Sequence, residues 1–260
     1  MTRFEGKVVL ITGAASGLGK ATALHIAREG GALSLVDLNA QGLDDVKAAI
    51  LEVAPDAQLE TITADVSKEE DVENYVAKTV ERFGKIDGFY NNAGIEGKQN
   101  LTEEYGSDEF AKVIGINLNG VFFGLKHVLK VMKEQGFGSV VNTASVGGIR
   151  GVGNQSGYAA AKHGVVGLTR NSAIEYGQFG ITINAIAPGA IMTPMVEASL
   201  KQIDPVNWEE AGTEFVSVNP AKRFGKPHEV GAVVAFLLSG EASFVNATVI
   251  PIDGGQSYKY

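Results

Sequence analysis

The sequence predicts an α/β fold in which a single doubly wound parallel sheet carries helices on both faces. Short, nearly continuous apolar runs alternate along the chain with longer amphipathic stretches, an order typical of parallel strands connected by crossover helices. The apolar runs end in glycine or in polar residues, which suit the turns at strand ends. No Pro- or Ser-rich linker interrupts the 260 residues, so the whole chain, 1–260, is predicted to be one domain.

Seven apolar runs have the length and composition of buried strands. In chain order they are KVVLITG (7–13), ALSLVD (32–37), LETITAD (59–65), IDGFYNNAG (86–94), GSVVNTAS (138–145), ITINAIAPG (181–189) and ATVIPIDGG (247–255). In an open parallel sheet, ligands bind beyond the carboxyl ends of the strands. The residues that follow these runs are therefore the first candidates for a functional site.

The stretches between the strands show apolar residues at helical spacing. Helices are predicted over about 18–29, 41–53, 67–84, 107–135, 155–177 and 227–239. In the third, Val72, Val76 and Val80 repeat on one face. Ser67, followed three residues later by Glu70, predicts a capping box at its start. The segment between the sixth strand and the last helix is predicted to be irregular.

Composition excludes several classes of function. A net charge of −8 and the absence of any basic run argue against a nucleic-acid partner. The chain has no cysteine, and its four histidines lack metal-ligand spacing, so disulfides, thiolate chemistry and a metal site are not expected. No apolar stretch reaches the roughly 18 residues that span a membrane, and the first residues are too charged for a signal peptide. A cytoplasmic protein without a membrane partner is expected.

The first strand ends in TGAASGLG (12–19), with glycines at 13, 17 and 19. A glycine-rich turn that opens a helix brings backbone N–H groups close to a phosphate, at the positive end of the helix dipole. Glycines also occur in any sharp strand-to-helix turn. Their position between a buried strand and a helix favours dinucleotide binding.

An acidic residue, Asp37, ends the second strand about twenty residues beyond this turn. Its carboxylate can accept hydrogen bonds from both ribose hydroxyls of an adenosine and would repel a 2′-phosphate. Residues 14–16, 38 and 39 include no Arg or Lys that could bind such a phosphate. The cofactor is therefore predicted to be NAD rather than NADP. Asp65, at the end of the third strand, is placed to meet the adenine edge, although an Asp before a helix is also a good cap.

The stretch SGYAAAKHG (156–164) places Tyr158 and Lys162 four residues apart, on one face of a helix. Two interpretations are open from these residues alone. The pair belongs either to a tightly packed helix that happens to contain them, or to a catalytic acid beside a positive charge that lowers its pKa.

Taken together and in this order, TGAASGLG, Asp37, NNAG (91–94), Asn117, Ser145 and YAAAK (158–162) resemble the short-chain dehydrogenase/reductase family over essentially the whole chain. The resemblance implies a Rossmann fold, a homotetramer, and a variable substrate lid at about 190–225. It implies a catalytic tetrad of Asn117, Ser145, Tyr158 and Lys162. The cofactor-binding residues that it and the motifs imply are Gly13, Ser16, Gly17, Leu18, Gly19, Asp37, Leu38, Asp65, Val66, Asn92, Ala93, Gly94, Tyr158, Lys162, Pro188, Gly189, Ile191 and Thr193.

In such a tetrad the tyrosine is the general acid and base for hydride transfer between a secondary alcohol and a ketone. Lowering a phenol pKa from about 10 to about 7 takes roughly 4 kcal/mol. One ammonium at about 4 Å supplies that amount at an effective dielectric near 20, so Lys162 is expected to lower the pKa of Tyr158. Ser145 is expected to hold the substrate oxygen. Asn117 is expected to hold, through its amide or an adjacent carbonyl, a water that links Lys162 to solvent.

The substrate pocket is predicted to be mostly apolar. Its candidates are Ile95, Glu96, Val146, Gln155, Met192, Met195 and Trp208, of which Glu96, Gln155 and Met192, with Ser145 and Tyr158, are expected to bind substrate. With the resemblance, they imply a small cyclic ketone or diketone. A β-ketoacyl-thioester reductase and a non-catalytic NAD-binding module are the alternatives. A hydrolase is disfavoured, because Thr143 replaces the first glycine of a nucleophile elbow in TASVG (143–147).

Overall fold

A seven-stranded parallel sheet of strand order β3-β2-β1-β4-β5-β6-β7 organises the chain. The computed structural model describes residues 2–258. The strands are β1 (Val8–Thr12), β2 (Ala32–Asp37), β3 (Leu59–Thr63), β4 (Gly88–Asn91), β5 (Gly138–Thr143), β6 (Ile181–Pro188) and β7 (Val249–Ile252). Every pairing between neighbours is parallel. The predicted fold class is confirmed, and each predicted strand lies where the apolar runs place it, with ends shortened by up to a few residues.

Helices cover both faces of this sheet, as a parallel sheet requires. They are α1 (Gly17–Arg28), α2 (Ala40–Val53), α3 (Glu69–Phe83), α4 (Ser107–Ile114), α5 (Gly120–Gln135), α6 (Ser156–Tyr176), α7 (Pro194–Ile203), α8 (Trp208–Ser217) and α9 (Pro227–Leu238). One apolar core packs α1, α2 and α9 on one face, and a second packs α3, α5 and α6 on the other. Between residues 2 and 258, no helix combines the length and apolar character needed to cross a membrane.

The strand order reverses at β1, which pairs with β2 on one side and with β4 on the other. The crossovers that leave β1 and β4 therefore diverge onto opposite sides of the sheet. Their divergence opens a crevice beyond the carboxyl ends of the central strands, where ligands bind in folds of this class. The fold thus positions the ends of β1, β4, β5 and β6 around one site.

The predicted helix 107–135 is interrupted in its middle. Residues Gly115–Asn119 form a π-helical segment between α4 and α5. Local π-helical turns of this kind occur often at functional sites, because they displace backbone groups from the regular α-helical pattern. One of the predicted catalytic residues, Asn117, lies in this segment.

The prediction of an irregular segment after β6 is wrong, because it contains α7 and α8. Thr193 caps α7, its side chain accepting a hydrogen bond from the Val196 N–H at 3.3 Å, and Pro194 occupies the first turn. The two helices pack on each other: Leu200 of α7 is buried, and a Cβ placed on Gly212 of α8 would lie 3.0 Å from its Cδ1. Each helix has only ten residues, so its apolar spacing repeats over about three turns.

The predicted capping box of α3 is also wrong. The Ser67 hydroxyl donates to Asp65 Oδ1 at 2.7 Å instead of capping the helix, and α3 begins at Glu69. The cap fails because the helix starts later than predicted: Lys68 is the N-cap residue, so Ser67 lies one position outside the helix. The first turn of α3 is still acidic, which suits the helix dipole.

Candidate active site

A cleft of about 350 Å³ lies beyond the carboxyl ends of the central strands. It brings together the predicted cofactor-binding residues from five separate strand ends. Every one of them except Gly19 lines the cleft: Gly13, Ser16, Gly17, Leu18, Asp37, Leu38, Asp65, Val66, Asn92, Ala93, Gly94, Tyr158, Lys162, Pro188, Gly189, Ile191 and Thr193. The crevice expected from the strand order is thus present.

The glycine-rich turn forms one wall of the cleft. Gly13 has a φ of +65°, and a Cβ there would lie 2.8 Å from Asn92 Nδ2, so a larger residue is excluded. Gly19 lies beneath the turn, where a Cβ would be only 2.1 Å from the Gly13 carbonyl oxygen. Gly19 therefore permits close packing of α1 under the turn and does not itself face the cleft. The start of α1 at Gly17 leaves backbone N–H groups and the positive end of the helix dipole available to a pyrophosphate.

Asp37 lies at one end of the cleft and is held in place by the backbone. Its Oδ2 accepts a hydrogen bond from Ala15 N–H at 3.0 Å, and its Oδ1 accepts one from Asn39 N–H at 2.9 Å. Each carboxylate oxygen keeps a further lone pair, so the group can still accept from a ribose diol. The neighbouring Leu38 is 68% exposed and offers an apolar surface to an adenine ring. Among the described residues that line the cleft, Lys162 is the one cation.

Asp65, a little further along this wall, is ionised. Hydrogen bonds from the Ser67 hydroxyl and backbone, together with the charge of Lys68, hold the pKa of Asp65 below its usual value. Its Oδ1 accepts from both groups of Ser67. Asp65 therefore orders the β3–α3 loop and lines the cleft, but it does not cap α3, whose N-cap residue is Lys68. Its contact with an adenine edge stays a prediction.

The other end of the cleft carries Ser145, Tyr158 and Lys162. Ser145 follows β5, and its Oγ accepts from Gly147 N–H at 3.0 Å. Tyr158 and Lys162 extend from adjacent turns of α6, with Lys162 Nζ 5.7 Å from the centre of the tyrosine ring. Lys162 Nζ donates to the Thr143 carbonyl oxygen at 2.6 Å. The predicted pair thus shares one site with the predicted serine.

The protein's own groups do not give the expected lowering of the Tyr158 pKa, to which the cationic ring of NAD⁺ is also expected to contribute. Burial raises the pKa of Tyr158 above its ordinary value, and a hydrogen bond with Ser145 offsets only part of that increase. Burial also lowers the pKa of Lys162, to about 8. The ammonium is hydrogen-bonded to Thr143, and removal of both groups from water outweighs their mutual effect. A further positive charge at the cleft is needed to favour the phenolate.

Asn117 does not line the cleft but lies beside it. Its Oδ1 accepts from Ile95 N–H at 2.8 Å, and its Nδ2 donates to the Ile95 carbonyl at 2.7 Å. Both ends of the amide are therefore occupied in holding the loop after β4. A Cβ placed on Gly94 would lie 3.0 Å from Asn117 Oδ1 and 3.6 Å from Lys162 Nζ, so the two side chains are near neighbours. Each end of the amide keeps capacity for one more hydrogen bond, so the amide and the backbone carbonyl both stay candidates for holding a water.

Three predicted substrate-binding residues, Glu96, Gln155 and Met192, do not line the cleft. Glu96 lies close behind it, where its Oε1 accepts hydrogen bonds from Gln155 Nε2 and, at 2.7 Å, from Ser199 Oγ. Burial raises the pKa of Glu96. The negative charge of the Glu96 carboxylate in turn raises the pKa of Tyr158. Of the wider set of pocket candidates, Ile95 and Met195 line the cleft, whereas Val146 and Trp208 do not.

Sequence reasoning missed several residues of the cleft wall. They are Ala64, Ile116, Thr143, Ala144, Pro194 and Val196. Most are immediate neighbours of predicted residues along strand ends, so extending each motif by one or two positions would have found them. Pro194 and Val196 lie on α7, which the sequence pattern did not predict. No cluster of three or more metal-ligating side chains occurs within residues 2–258.

Comparisons with known proteins give consistent results. A family model described as enoyl-(acyl carrier protein) reductase matches residues 13–257. Levodione reductase of Leifsonia aquatica is 68% identical over 100% of this chain and 97% of its own length. Its crystal structure superimposes with a TM-score of 0.98 over 99% of this chain and 100% of that one. Cyclohexanol dehydrogenase of Acinetobacter sp. (strain SE19) is 41% identical over 99% of this chain and 97% of its own.

A more distant solved structure, that of NAD⁺-bound xylitol dehydrogenase, is 36% identical to this chain. It superimposes with a TM-score of 0.92 and covers 97% of this chain and 99% of its own. The shared fold therefore extends over the cleft as well as the sheet.

The lowered pKa of Lys162 predicts a pH-dependent stability. Its pKa is 10.5 ordinarily and about 8 in the fold, so between these values the unfolded chain keeps a proton that the folded protein has released. The free energy of unfolding must then rise with pH. Relative to Lys162→Met, the parent should gain about 2 kcal/mol between about pH 7.5 and about pH 9.5. Urea unfolding at fixed protein concentration measures this difference.

Lys78→Met is the matched control, because Lys78 is exposed on α3. Its difference from the parent should show no comparable rise with pH. A pH-independent difference for Lys162→Met would mean that the ammonium is not destabilised by burial.

Proposed function

The chain belongs to the short-chain dehydrogenase/reductase family and is an NAD-dependent alcohol dehydrogenase or ketone reductase, and we propose that its substrate is a small cyclic ketone or diketone and the corresponding secondary alcohol. One observation supports this proposal above the others. A single cleft carries Asp37 and the glycine-rich turn at one end, and Ser145, Tyr158 and Lys162 at the other. A dinucleotide bound along it brings its nicotinamide to the catalytic end.

When bound, NAD(H) supplies or accepts the hydride. The chain's own residues manage the oxygen and its proton. Ser145 Oγ donates a hydrogen bond to the substrate oxygen and holds it in position. The Tyr158 phenol delivers the proton to the developing alkoxide and takes it back in the reverse reaction. Because burial raises its pKa, Tyr158 is protonated at neutral pH and ready to act as the acid in ketone reduction.

Lys162 and Asn117 form the route by which Tyr158 recovers its proton. Lys162 Nζ lies one turn along α6 from the phenol, and its pKa of about 8 suits proton exchange near neutral pH. Asn117, in the π-helical segment, holds a water between Lys162 and solvent through its amide or an adjacent backbone carbonyl. The Asn117 side chain contributes by fixing the loop at Ile95.

The walls beyond the catalytic groups favour an uncharged substrate. Ile95, Met195 and Val196 line this part of the cleft, and Lys162, its one cation among the described residues, is hydrogen-bonded to Thr143. We assign the substrate lid to α7 and α8, with Met192 at its base. Glu96 and Gln155 form a hydrogen-bonded pair behind the wall and limit the size of the pocket. The relatives named for levodione and cyclohexanol act on cyclic skeletons of this kind.

The alternatives have less support. A β-ketoacyl-thioester reductase that uses NADPH requires a cation near the adenosine ribose, where this chain has Asp37 and Leu38. A non-catalytic NAD-binding module has no need of the full tetrad that this chain keeps. The predicted homotetramer and cytoplasmic location stay predictions.

Tyr158→Phe tests the proton donor. It removes one oxygen and keeps the ring, so turnover should fall by about 10²- to 10⁴-fold while NADH affinity changes little. Steady-state kcat and NADH fluorescence titration measure the two effects. Tyr176→Phe, at the other end of α6, is the matched control and should keep parental turnover. Turnover of Tyr158→Phe within about threefold of the parent would show that the pair Tyr158 and Lys162 serves only to pack the helix.

Asp37→Ala tests the choice of cofactor. The parent should prefer NAD(H) over NADP(H) by at least about tenfold in kcat/KM, because Asp37 accepts from the ribose diol and repels a phosphate. The Asp37→Ala variant should lose affinity for NAD, so its kcat/KM values for NAD(H) and NADP(H) should differ less than those of the parent. Asp44→Ala, on the exposed face of α2, should leave the preference unchanged. Equal use of both cofactors by the parent would overturn the assignment.

A substrate panel tests the proposed chemistry directly. NADH oxidation should be fastest with cyclic ketones and diketones, slower with open-chain ketones, and slowest with acyl thioesters, since the walls have no group that binds a phosphorylated carrier. Cyclic and open-chain secondary alcohols with NAD⁺ test the reverse direction. Strong activity on acyl thioesters with none on cyclic ketones would favour the reductase alternative.

A further inference from the structure

The turn after β6 contributes to the catalytic end of the cleft. Ile186 of β6 pairs with Thr143 of β5, its neighbour in the sheet. Pro188 and Ser145 each follow two residues later, so both lie at the carboxyl ends of these two strands. Pro188, Gly189 and Ile191 line the cleft, as Ser145 does. Between them, Ala190 is buried and faces away from the cleft. The position of this turn therefore sets one wall of the space in which hydride transfer takes place.

A residue outside the cleft holds this turn. The Ala190 N–H donates to Oε1 of Gln256 at 2.9 Å, and Gln256 is itself buried. The contact is close, because a Cβ placed on Gly189 would lie 2.5 Å from the same Oε1 and 2.7 Å from Asp253 Cβ. The carboxamide thus packs tightly against the turn and accepts the hydrogen bond of the buried Ala190 N–H.

Gln256 is also tied to the segment that follows Ser145. Arg150 Nη1 donates to the Gln256 carbonyl oxygen at 2.9 Å. Asp253 stabilises the tail around it, accepting from Gly255 N–H at 2.9 Å and from Ser257 N–H at 2.7 Å. Through its side chain and its carbonyl, Gln256 therefore bridges the turn on one wall and the loop that carries the serine on the other.

We propose that Gln256 is a positioning residue that sets the spacing between the nicotinamide wall at Gly189 and the substrate-binding loop at Ser145. This inference rests on the proposed function, since it assigns the nicotinamide to that wall. Gln256 touches neither substrate nor cofactor and acts through Ala190 and Arg150. Small displacements of reacting groups are costly, with about 1 Å worth up to about 10²-fold in rate.

Gln256→Met tests the proposal, because it keeps the length of the side chain and removes the acceptor for Ala190. Ketone-reduction kcat should fall about 10- to 100-fold, while KM for the ketone changes by less than about threefold. Gln256→Glu keeps the acceptor oxygen and should recover kcat to within about fivefold of the parent. Gln178→Met, an exposed glutamine after α6, is the matched control and should behave as the parent.

A second measurement does not depend on turnover. NADH should bind Gln256→Met about fivefold or more weakly than the parent, whereas ADP-ribose, which lacks the nicotinamide, should bind both equally. Equal loss of affinity for both ligands, or none for either, would overturn the proposal. So would a kcat for Gln256→Met within about twofold of the parent, or a Gln256→Glu variant as slow as Gln256→Met.

The two measurements separate this inference from the proposed function. If the parent reduced no ketone, the proposed function would fail, and the comparison of NADH with ADP-ribose would still decide the role of Gln256. If the parent is active and both Gln256 variants match it in turnover and binding, only the positioning role fails.

Discussion

Both halves of the cleft depend on the hydrogen bonds of one side chain, Asn92, at the end of β4. Its Nδ2 donates to the Thr12 carbonyl at 3.0 Å, and its Oδ1 accepts from Thr143 Oγ1 at 3.2 Å. The backbone N–H groups of Asn92 and Ala93 donate to Thr12 Oγ1. The ends of β1, β4 and β5 are thereby locked together at the point where the strand order reverses. The glycine-rich turn follows β1, and Ser145 follows β5.

The same set of hydrogen bonds reaches Lys162. Thr143 donates its hydroxyl to Asn92 and accepts, through its carbonyl, from Lys162 Nζ at 2.6 Å. The ammonium is thus fixed by a strand end and by its place on α6, with little freedom to move. A buried and hydrogen-bonded cation of this kind keeps its position relative to Tyr158. The sheet therefore contributes to the relative position of Lys162 and Tyr158.

Burial governs the electrostatics of the catalytic end. It raises the pKa of Tyr158 and of Glu96 and lowers that of Lys162, so all three groups are shifted towards their neutral forms. A site with this balance holds a protonated phenol beside a lysine that exchanges its proton readily. It is therefore sensitive to any positive charge brought close to the phenol, and a cationic nicotinamide is such a charge.

The sequence by itself determined the parallel α/β sheet and most of the cleft wall. Buried parallel strands are nearly continuous apolar runs, and the turns after them require particular residues at Gly13, Asp37 and Ser145, so both are visible locally. Only the tertiary structure decided which groups compete for each hydrogen bond. It gave both ends of the Asn117 amide to Ile95 and the Gln256 carboxamide to Ala190. These partners lie up to 66 positions apart in the chain, and a local pattern contains no signal for contacts at that separation. The helices α7 and α8 were likewise not predicted, because their short apolar faces are recognisable only once the two helices pack against each other. The pKa values also depend on tertiary structure, since residues from distant strands bury the titrating groups.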